Sequence, residues 1–237
     1  MKAVIIAAGE SSRLWTRTGT TPKTLLPYGG GTILSTIMNG IAEAGIREFV
    51  VVVGFKPEYI TGYLEQNGSF GFRTDIVHNP DFKRGNGLSV LKARNATGGE
   101  PFLLSMSDHI VTPSAVRRVI GDPRDRNLLL VDRRVDSIFD IDDATKIWLE
   151  GSRIARIGKN LGEYNGIDCG IFRLTPRFAE AMRRQLKEGR ESISAGVEEL
   201  IRSDDMEACF IEHDETWIDI DTPDAYRFAV GGNDSED

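Results

Sequence analysis

The chain has 237 residues, of which 40% are hydrophobic and 27% charged, and its 36 acidic and 29 basic side chains give a net charge of −7 at pH 7. This composition is typical of a soluble globular protein, and it argues against a disordered chain and against a general nucleic-acid binder, which needs clustered basic residues. Cys169 and Cys209 lie far apart and predict neither a CxxC metal site nor a disulfide framework, so we expect two reduced core residues.

The first half of the chain alternates apolar runs with helical patterns. Short runs that are nearly all apolar at their centres predict strands buried on both faces, as in a parallel sheet covered by helices. These predicted strands are residues 2–8, 48–54, 73–79, 101–107 and 128–131. The predicted helices between them are residues 32–45, 57–66 and 113–120. This order predicts right-handed βαβ crossovers and a doubly wound sheet.

After residue 131 the pattern changes. Residues 144–150 and 153–158 flank Gly151-Ser152 and predict a hairpin, and residues 167–174 predict a further strand. We interpret this stretch as an antiparallel insertion beside the parallel half. The remaining predicted elements are helices at 177–188 and 194–202 and strands at 207–212 and near Trp217. The predicted fold class is therefore α/β, a Rossmann-like doubly wound mixed sheet with an antiparallel insertion.

A small-residue loop, AAGESSRL (Ala7 to Leu14), follows the first strand. Small residues let backbone N–H groups approach a polyphosphate, so Ala8, Gly9 and Glu10 are candidate phosphate-binding residues. The loop lacks the GK[ST] of a P-loop and the GxGxxG of a dinucleotide fold. Taken alone, the motif is also compatible with a plain tight turn.

Two cations accompany this loop. Arg13 ends it, and Lys23 lies in the Pro-framed segment TPKTLLP (Thr21 to Pro27). A planar guanidinium can grip phosphate oxygens while an ammonium places a point charge. Either residue alone could be a solvated loop cation, but the pair in this setting favours a catalytic role.

Three carboxylates are candidate metal ligands. Asp108 ends the strand FLLSMS, where ligands of open α/β sheets bind, and Thr112 is a better cap than Asp108 for the helix that follows. Asp219 and Asp221 in WIDIDTP would project from one face of a strand. Hard oxygen ligands beside a triphosphate indicate Mg²⁺. The alternative is that Asp221 or Thr222 caps the last helix.

The segment KRGNGLS (Lys83 to Ser89) is a Gly-rich turn that opens a helix. Such a turn can read a nucleobase edge with Asn86, Gly87 and Ser89. A merely flexible turn is an equal alternative.

The motifs AAGESSRL and PKTLLP resemble the sugar-1-phosphate-type nucleotidyltransferases, with Ser11 where the commoner form has Gly. The further motifs GNGLS, MSDHI, DATK, IGK, YNGIDCGIF and DIDTPDAY are most similar to the CTP:inositol-1-phosphate cytidylyltransferases. The resemblance covers nearly the whole chain. It implies the nucleotide-diphospho-sugar transferase fold and cytidylyl transfer from CTP to myo-inositol 1-phosphate.

The resemblance also implies how the chain is organised. Residues 1–132 would bind the nucleotide and residues 133–230 the acceptor, within one domain. The Gly-rich, acidic composition of residues 231–237 separately predicts a flexible tail or the start of a linker. The resemblance places Mg²⁺ on Asp108 and on the acidic positions Asp219 and Asp221. It places Lys159 on the acceptor phosphate, with Lys146 and Asp168 lining the same half. A solvated strand surface explains Lys146 almost as well.

Several alternatives stay open at this point. The nucleotide could be UTP, and the acceptor could be phosphocholine, 2-aminoethylphosphonate or a hexose 1-phosphate. The chain could also be a non-catalytic nucleotide-binding subunit. We expect His109 to orient a metal ligand or the acceptor, and Trp217 and Trp148 to be core residues. No apolar run is long enough to span a membrane and no secretory signal is visible, so we expect a cytoplasmic protein with no membrane segment, which could form a homodimer.

Overall fold

The computed structural model describes residues 1–10, 12–14 and 21–231. Ser11 and the predicted tail from residue 232 onward lie outside these described residues. The strands are β1 (Ala3–Ala7), β2 (Pro27–Tyr28), β3 (Gly31–Thr32), β4 (Glu48–Val53), β5 (Arg73–His78), β6 (Phe102–Met106), β7 (His109–Val111), β8 (Asn127–Asp132), β9 (Lys146–Glu150), β10 (Arg153–Gly158), β11 (Gly166–Leu174), β12 (Met206–Phe210) and β13 (Trp217–Asp219). The α-helices are α1 (Ile33–Glu43), α2 (Pro57–Gln66), α3 (Asn86–Ala93), α4 (Pro113–Gly121), α5 (Pro176–Lys187), α6 (Ile193–Arg202) and α7 (Pro223–Gly231).

One mixed sheet organises the part of the chain that is described. Its strand order is β5-β4-β1-β6-β11-β8-β12-β10-β9. Strands β5, β4, β1 and β6 are parallel, which confirms the predicted βαβ half. The centres of β1 and β4 are fully buried because both faces of the sheet are covered, one by each of two apolar clusters.

The predicted antiparallel insertion forms, but its place in the sheet differs from the prediction. Strands β9 and β10 make the hairpin at one edge, whereas β11 lies in the middle of the sheet, antiparallel to both β6 and β8. The sequence of β11 explains this position, because all but one of its residues are buried. A strand buried on both faces has to be central, so β11 joins the two halves rather than lying beside one.

Strand β5 also forms, but it is not buried on both faces as predicted. It lies at the sheet edge, and Ile76 is 39% exposed. Asp75 of this strand accepts a 2.8 Å hydrogen bond from Lys2, which suits a half-solvated edge.

A separate two-stranded ribbon carries part of the site. Strand β7 follows β6 after a short turn and pairs antiparallel with β13, and the register sets His109 opposite Asp219. The backbone N–H of Ile220 then donates to the carbonyl of Asp108 at 2.9 Å. The ribbon therefore brings two segments that are remote in sequence to one place.

Further sequence expectations concern the two cysteines, membrane-spanning helices and helix caps. Cys169 and Cys209 are buried and unbridged, as predicted. None of the described helices combines the length and apolarity needed to cross a membrane. Thr32 caps α1 with a capping box, whereas the hydroxyl of Thr112 bonds Thr216 instead of the first turn of α4.

Candidate active site

Two adjoining cavities open beyond the carboxyl ends of β1 and β6. The first, of about 320 Å³, has Gly9, Glu10 and Lys23 in its wall, and we call it the nucleotide cavity. The second, of about 270 Å³, has Lys159 and Asp168 in its wall, and we call it the acceptor cavity. The residues common to both walls are Arg13, Asn86, Met106, Asp108 and Asp221. The arrangement can hold two ligands against one shared set of charged groups.

The loop after β1 presents backbone to the nucleotide cavity. Ala8 is buried and its carbonyl accepts the N–H of Phe55 at 3.0 Å, while a Cβ at Gly54 would collide with Ala8. A Cβ at Gly9, in contrast, would meet open space. Glu10 is 3.5 Å from Lys83 across the cavity rim. The loop is thus fixed on its inner side and open on the side where a ligand would lie.

Lys23 joins two of the predicted carboxylates. Its buried ammonium donates to Asp108 at 2.6 Å and also to Asp221. Burial opposes protonation of Lys23, but the two carboxylates outweigh it and hold the pKa of the ammonium above its usual range. The structure therefore places a permanent cation at the boundary between the cavities.

Arg13 extends this chain of charges into the acceptor cavity. Its guanidinium donates to Asp221 at 2.6 Å and to Asp143 at 2.6 Å, and Asp143 also accepts from Lys159 at 2.9 Å. Burial of Asp143 is outweighed by the bonds from Arg13 and Lys159, which lower the pKa of its carboxyl. Lys159 and Arg13 are thus held near each other by one carboxylate, although they come from distant segments.

Asp108, His109 and Asp219 form a compact cluster. His109 Nδ1 lies 2.7 Å from one Asp108 oxygen and 3.8 Å from an Asp219 oxygen. Burial opposes the charging of His109, but Asp219 and Asp108 raise its pKa to about 9. Burial raises the pKa of Asp219 to about 7, while Lys23 and His109 overcome the effect of burial on Asp108 and lower the pKa of that carboxyl. Two carboxylates with different pKa values, those of Asp108 and Asp219, therefore line the acceptor cavity.

This cluster fits a divalent cation. Ligand atoms of Asp108, His109 and Asp219 lie within 4.8 Å of one another. Asp219 Oδ1 is buried and has no hydrogen-bond partner among the described residues. A buried, unsatisfied carboxylate oxygen beside a second carboxylate is a site that a hard cation would stabilise. Asp221, the third predicted ligand, lies just beyond β13 and is engaged by Lys23 and Arg13.

The predicted base-reading residues lie in different surroundings. Asn86 opens α3, lines both cavities, and its Oδ1 accepts the N–H of Ile193 at 2.8 Å. Gly87 is buried, and a Cβ there would strike Met182. The Ser89 hydroxyl is buried and accepts from Asn79 at 2.9 Å. The structure thus brings Asn86 to the site, whereas Gly87 and the side chain of Ser89 pack inside the protein.

The two lysines predicted to bind the acceptor also lie in different surroundings. The ammonium of Lys159 lies in the wall of the acceptor cavity, but that of Lys146 is buried and donates to three backbone carbonyls, those of Asp142, Ala144 and Lys159. Asp168 lines the cavity and accepts the N–H of Gly170 at 2.7 Å, and burial raises the pKa of its carboxyl to about 6. Lys146 therefore shapes the wall of the cavity without facing into it.

Sequence reasoning missed three contributors to the site. Asp143 occurs in the motif DATK but was given no role, although it joins Arg13 to Lys159. Gly170 has a φ of +73°, and a Cβ there would come within 2.5 Å of the His109 ring. Trp217 lines the acceptor cavity and stacks on His109, so it is not the simple core residue predicted. The sequence signal that could have found Trp217 is its place two residues before Asp219, on the same face of one strand.

Comparison with known proteins identifies relatives of this chain. Over 98% of its length the chain is 34% identical to "Bifunctional IPC transferase and DIPP synthase" of Rubrobacter xylanophilus, and over 96% it is 31% identical to the protein of the same name from Thermococcus kodakarensis. These matches cover 53% and 49% of the two relatives, so the chain spans about half of their length.

A solved structure and a family model complete the comparison. The structure is that of the inositol-1-phosphate CTP transferase from T. maritima, with a TM-score of 0.83, 25% identity, and coverage of 94% of this chain and 90% of that one. Residues 3–134 match the MobA-like NTP transferase domain. The resemblance and fold class predicted from the sequence are thereby confirmed. The chain belongs to the MobA-like NTP transferase family of nucleotidyltransferases, and it is similar in sequence and fold to the inositol-1-phosphate CTP transferase named above.

Proposed function

We propose that this chain transfers a cytidylyl group from CTP to myo-inositol 1-phosphate and releases pyrophosphate. One observation carries the proposal: Asp108, Lys23, Asp221 and Arg13 form a continuous row of ion pairs along the shared boundary of a cavity lined by Gly9 and a cavity lined by Lys159. Adjoining cavities with shared charged groups suit a nucleotidyl transfer, because the triphosphate and the attacking phosphate must meet at one phosphorus atom. The names of the relatives support the choice of CTP and inositol phosphate.

In the proposed reaction, an oxygen of the acceptor phosphate attacks the α-phosphorus of CTP in line. A new P–O bond forms as the bond to the β-phosphate oxygen breaks, and pyrophosphate leaves with the electron pair. Gly9 and its neighbours would hold the triphosphate through backbone N–H groups. Lys23 and Arg13 would neutralise the charge that grows on the phosphate oxygens, which contributes more to phosphoryl transfer than covalent catalysis does.

Asp108 and Asp219 would hold the divalent cation, which we propose is Mg²⁺. When bound, it would supply further positive charge beside the phosphates. Asp221 would keep Lys23 and Arg13 in place at the boundary, through the bonds described above. His109, which contacts the Asp108 carboxylate, would fix the orientation of that ligand.

On the acceptor side, Lys159 would bind the phosphate and Asp168 a hydroxyl of the polyol. Carboxylates suit a polyol because each oxygen accepts hydrogen bonds from hydroxyl groups. A quaternary ammonium acceptor would instead favour an aromatic cage. Among the residues that the structure describes, Phe139, Phe172 and Trp217 are the Phe, Tyr or Trp side chains in the wall of the acceptor cavity, and Trp217 is already stacked on His109.

The test is a matrix of nucleotides and acceptors. CTP and UTP are each combined with myo-inositol 1-phosphate, 2-aminoethylphosphonate, phosphocholine and glucose 1-phosphate, and pyrophosphate release gives kcat/KM for each pair. We expect the highest value with CTP and myo-inositol 1-phosphate, and a product with the mass of CDP-inositol. A preference for an aminophosphonate or for phosphocholine would overturn the acceptor, and CTP binding without any turnover would overturn the enzymatic role.

A further inference from the structure

Asp108 has both carboxylate oxygens engaged by other side chains. One oxygen faces His109 Nδ1 at 2.7 Å, and the other accepts from Lys23 at 2.6 Å. The orientation of the carboxylate therefore depends on where the His109 ring lies. The same ring nitrogen is 3.8 Å from the Asp219 oxygen that has no hydrogen-bond partner among described residues. His109 thus lies next to both candidate metal ligands, Asp108 and Asp219.

The His109 ring is itself held in a defined plane. Trp217 is stacked on it, with ring centroids 5.8 Å apart and planes only 9° from parallel. The ring also occupies space that exists because residue 170 is a glycine with a φ of +73°. The stack follows from the ribbon register, since Trp217 is diagonal to His109 across the β7–β13 pair.

Trp217 is anchored in turn by a buried carboxylate. Its indole N–H donates to Asp132 Oδ2 at 3.0 Å. Asp132 is 2% exposed, ends β8, and receives further bonds from the side chain and the backbone N–H of Arg134. Both ends of this contact lie on strands, which makes the tilt of the indole a fixed property of the fold.

We infer that Trp217 is a positioning residue: anchored by Asp132, it holds the His109 ring so that Asp108 and Asp219 are presented together to the divalent cation. The inference rests on the proposed function. Its physical basis is that residues contacting the ligands of a metal fix the geometry of those ligands, and their loss typically costs about 10- to 100-fold in metal affinity or activity. Trp217 would act on metal affinity through His109 and would not touch the reacting phosphates.

Three variants separate the two contacts of Trp217. W217F keeps an aromatic ring against His109 and loses the bond to Asp132, whereas W217L loses both. W148F is the matched control, because Trp148 is a half-buried tryptophan on β9 that lies outside the walls of both cavities. We expect W148F to behave as wild type, W217F to show about a 3-fold and W217L about a 10-fold increase in the Mg²⁺ concentration for half-maximal activity, with little change in KM for CTP.

A spectroscopic readout makes the test independent of turnover. The chain has 3 histidines, so long-range ¹H–¹⁵N spectra resolve its imidazoles, and an H109Q variant assigns the signal of His109. We expect Mn²⁺ to broaden the His109 signal in the wild type, with a midpoint about 10-fold higher in W217L. The chemical shifts of His109 should move in W217L and W217F and remain unchanged in W148F.

The possible outcomes are distinct. Equal Mn²⁺ midpoints in folded W217L or W217F would overturn the positioning role, whatever the substrates are and even if the His109 shifts move, because loss of the stacked indole changes those shifts by itself. If W217L does not fold, W217F decides the question alone. A wild type with no turnover on any acceptor would overturn the proposed function, while a shifted Mn²⁺ midpoint in W217F would still support the positioning of His109.

Discussion

The nucleotide cavity and the acceptor cavity are built by different kinds of contact. The nucleotide side takes its own residues from two short segments, the loop around Gly9 and the Pro-framed segment that carries Lys23, and shares Asp108 and Asp221 with the other cavity. The acceptor side depends on pairs remote in sequence, such as Arg13 with Asp143 and His109 with Trp217. A local motif thus predicts a binding loop by itself, whereas side-chain pairs such as Arg13 with Asp143 form only once the whole sheet has assembled.

The largest expected effect concerns the boundary between the two cavities. We expect K23M to lower kcat by about 10²- to 10³-fold, because a preorganised cation that meets developing charge is commonly worth that much. Lys23 is 7% exposed and pairs with Asp108 and Asp221, so kcat is measured with saturating CTP and acceptor at a temperature where K23M is shown to be folded.

The control for K23M is K2M. Lys2 also forms an ion pair, with Asp75 at 2.8 Å, but at the sheet edge away from both cavities. K2M should keep wild-type kcat. Near wild-type turnover in K23M would remove Lys23 from the catalytic role and leave Arg13 as the cation that both cavities share.

The next largest effect is expected from an alanine substitution at Gly170, with Gly189 as its control. G170A and G189A place an alanine at similar positive φ values, +73° and +75°, so both incur a similar cost of backbone strain. A Cβ at residue 189 meets open space, whereas one at residue 170 collides with the His109 ring. We expect G170A to lower activity by about 10- to 100-fold through the displaced His109, and G189A to lower only stability.

Activity at saturating substrate and the melting temperature are measured for both glycine variants. Wild-type activity in both G170A and G189A would show that the position of His109 does not matter for catalysis. A loss in both variants would mean that backbone strain, rather than the collision, accounts for the effect.

The two cavities also show how much of the site can be predicted from the sequence. The parallel half, the loop at Gly9, Lys23 and Asp108 follow from local patterns, because a buried strand and the loop after it are adjacent in the chain. The central place of β11 and the role of Asp143 do not, since each depends on a partner brought close by the fold. Local patterns also do not show which way a side chain points. The hydroxyl of Ser89, which faces the protein interior, is an example.

A smaller effect is expected from substituting the two lysines predicted to bind the acceptor, and the two substitutions should have different consequences. We expect K159M to raise KM for the phosphorylated acceptor about 10-fold, since a charge-assisted hydrogen bond contributes roughly 1.5–3 kcal/mol. KM for CTP should not change. K146M should instead lower the melting temperature, because the ammonium of Lys146 is buried on three carbonyls. The reverse result, in which K146M alone raises the acceptor KM, would exchange the roles of the two residues.

The smallest expected effect is on stability and depends on pH. Asp132 is 2% exposed, and although burial opposes its ionisation, the bonds from Arg134 and Trp217 lower the pKa of its carboxyl. A carboxyl with a lower pKa in the folded state than in the unfolded state, where it is about 3.9, stabilises the fold above that value. The contribution is lost as the pH falls through the folded pKa.

D132N should therefore be less stable than wild type by about 1 kcal/mol at pH 7, or about 2–4 °C in melting temperature, and the difference should shrink below pH ~3.9. D224N is the matched control, because Asp224 is 70% exposed and pairs with Arg227 on the surface, where ion pairs contribute little. Melting temperatures of the three proteins are compared across the acidic range. A difference between D132N and wild type that stays constant with pH would show that the Asp132 anchor stabilises the acceptor side through shape and hydrogen bonding rather than through its charge.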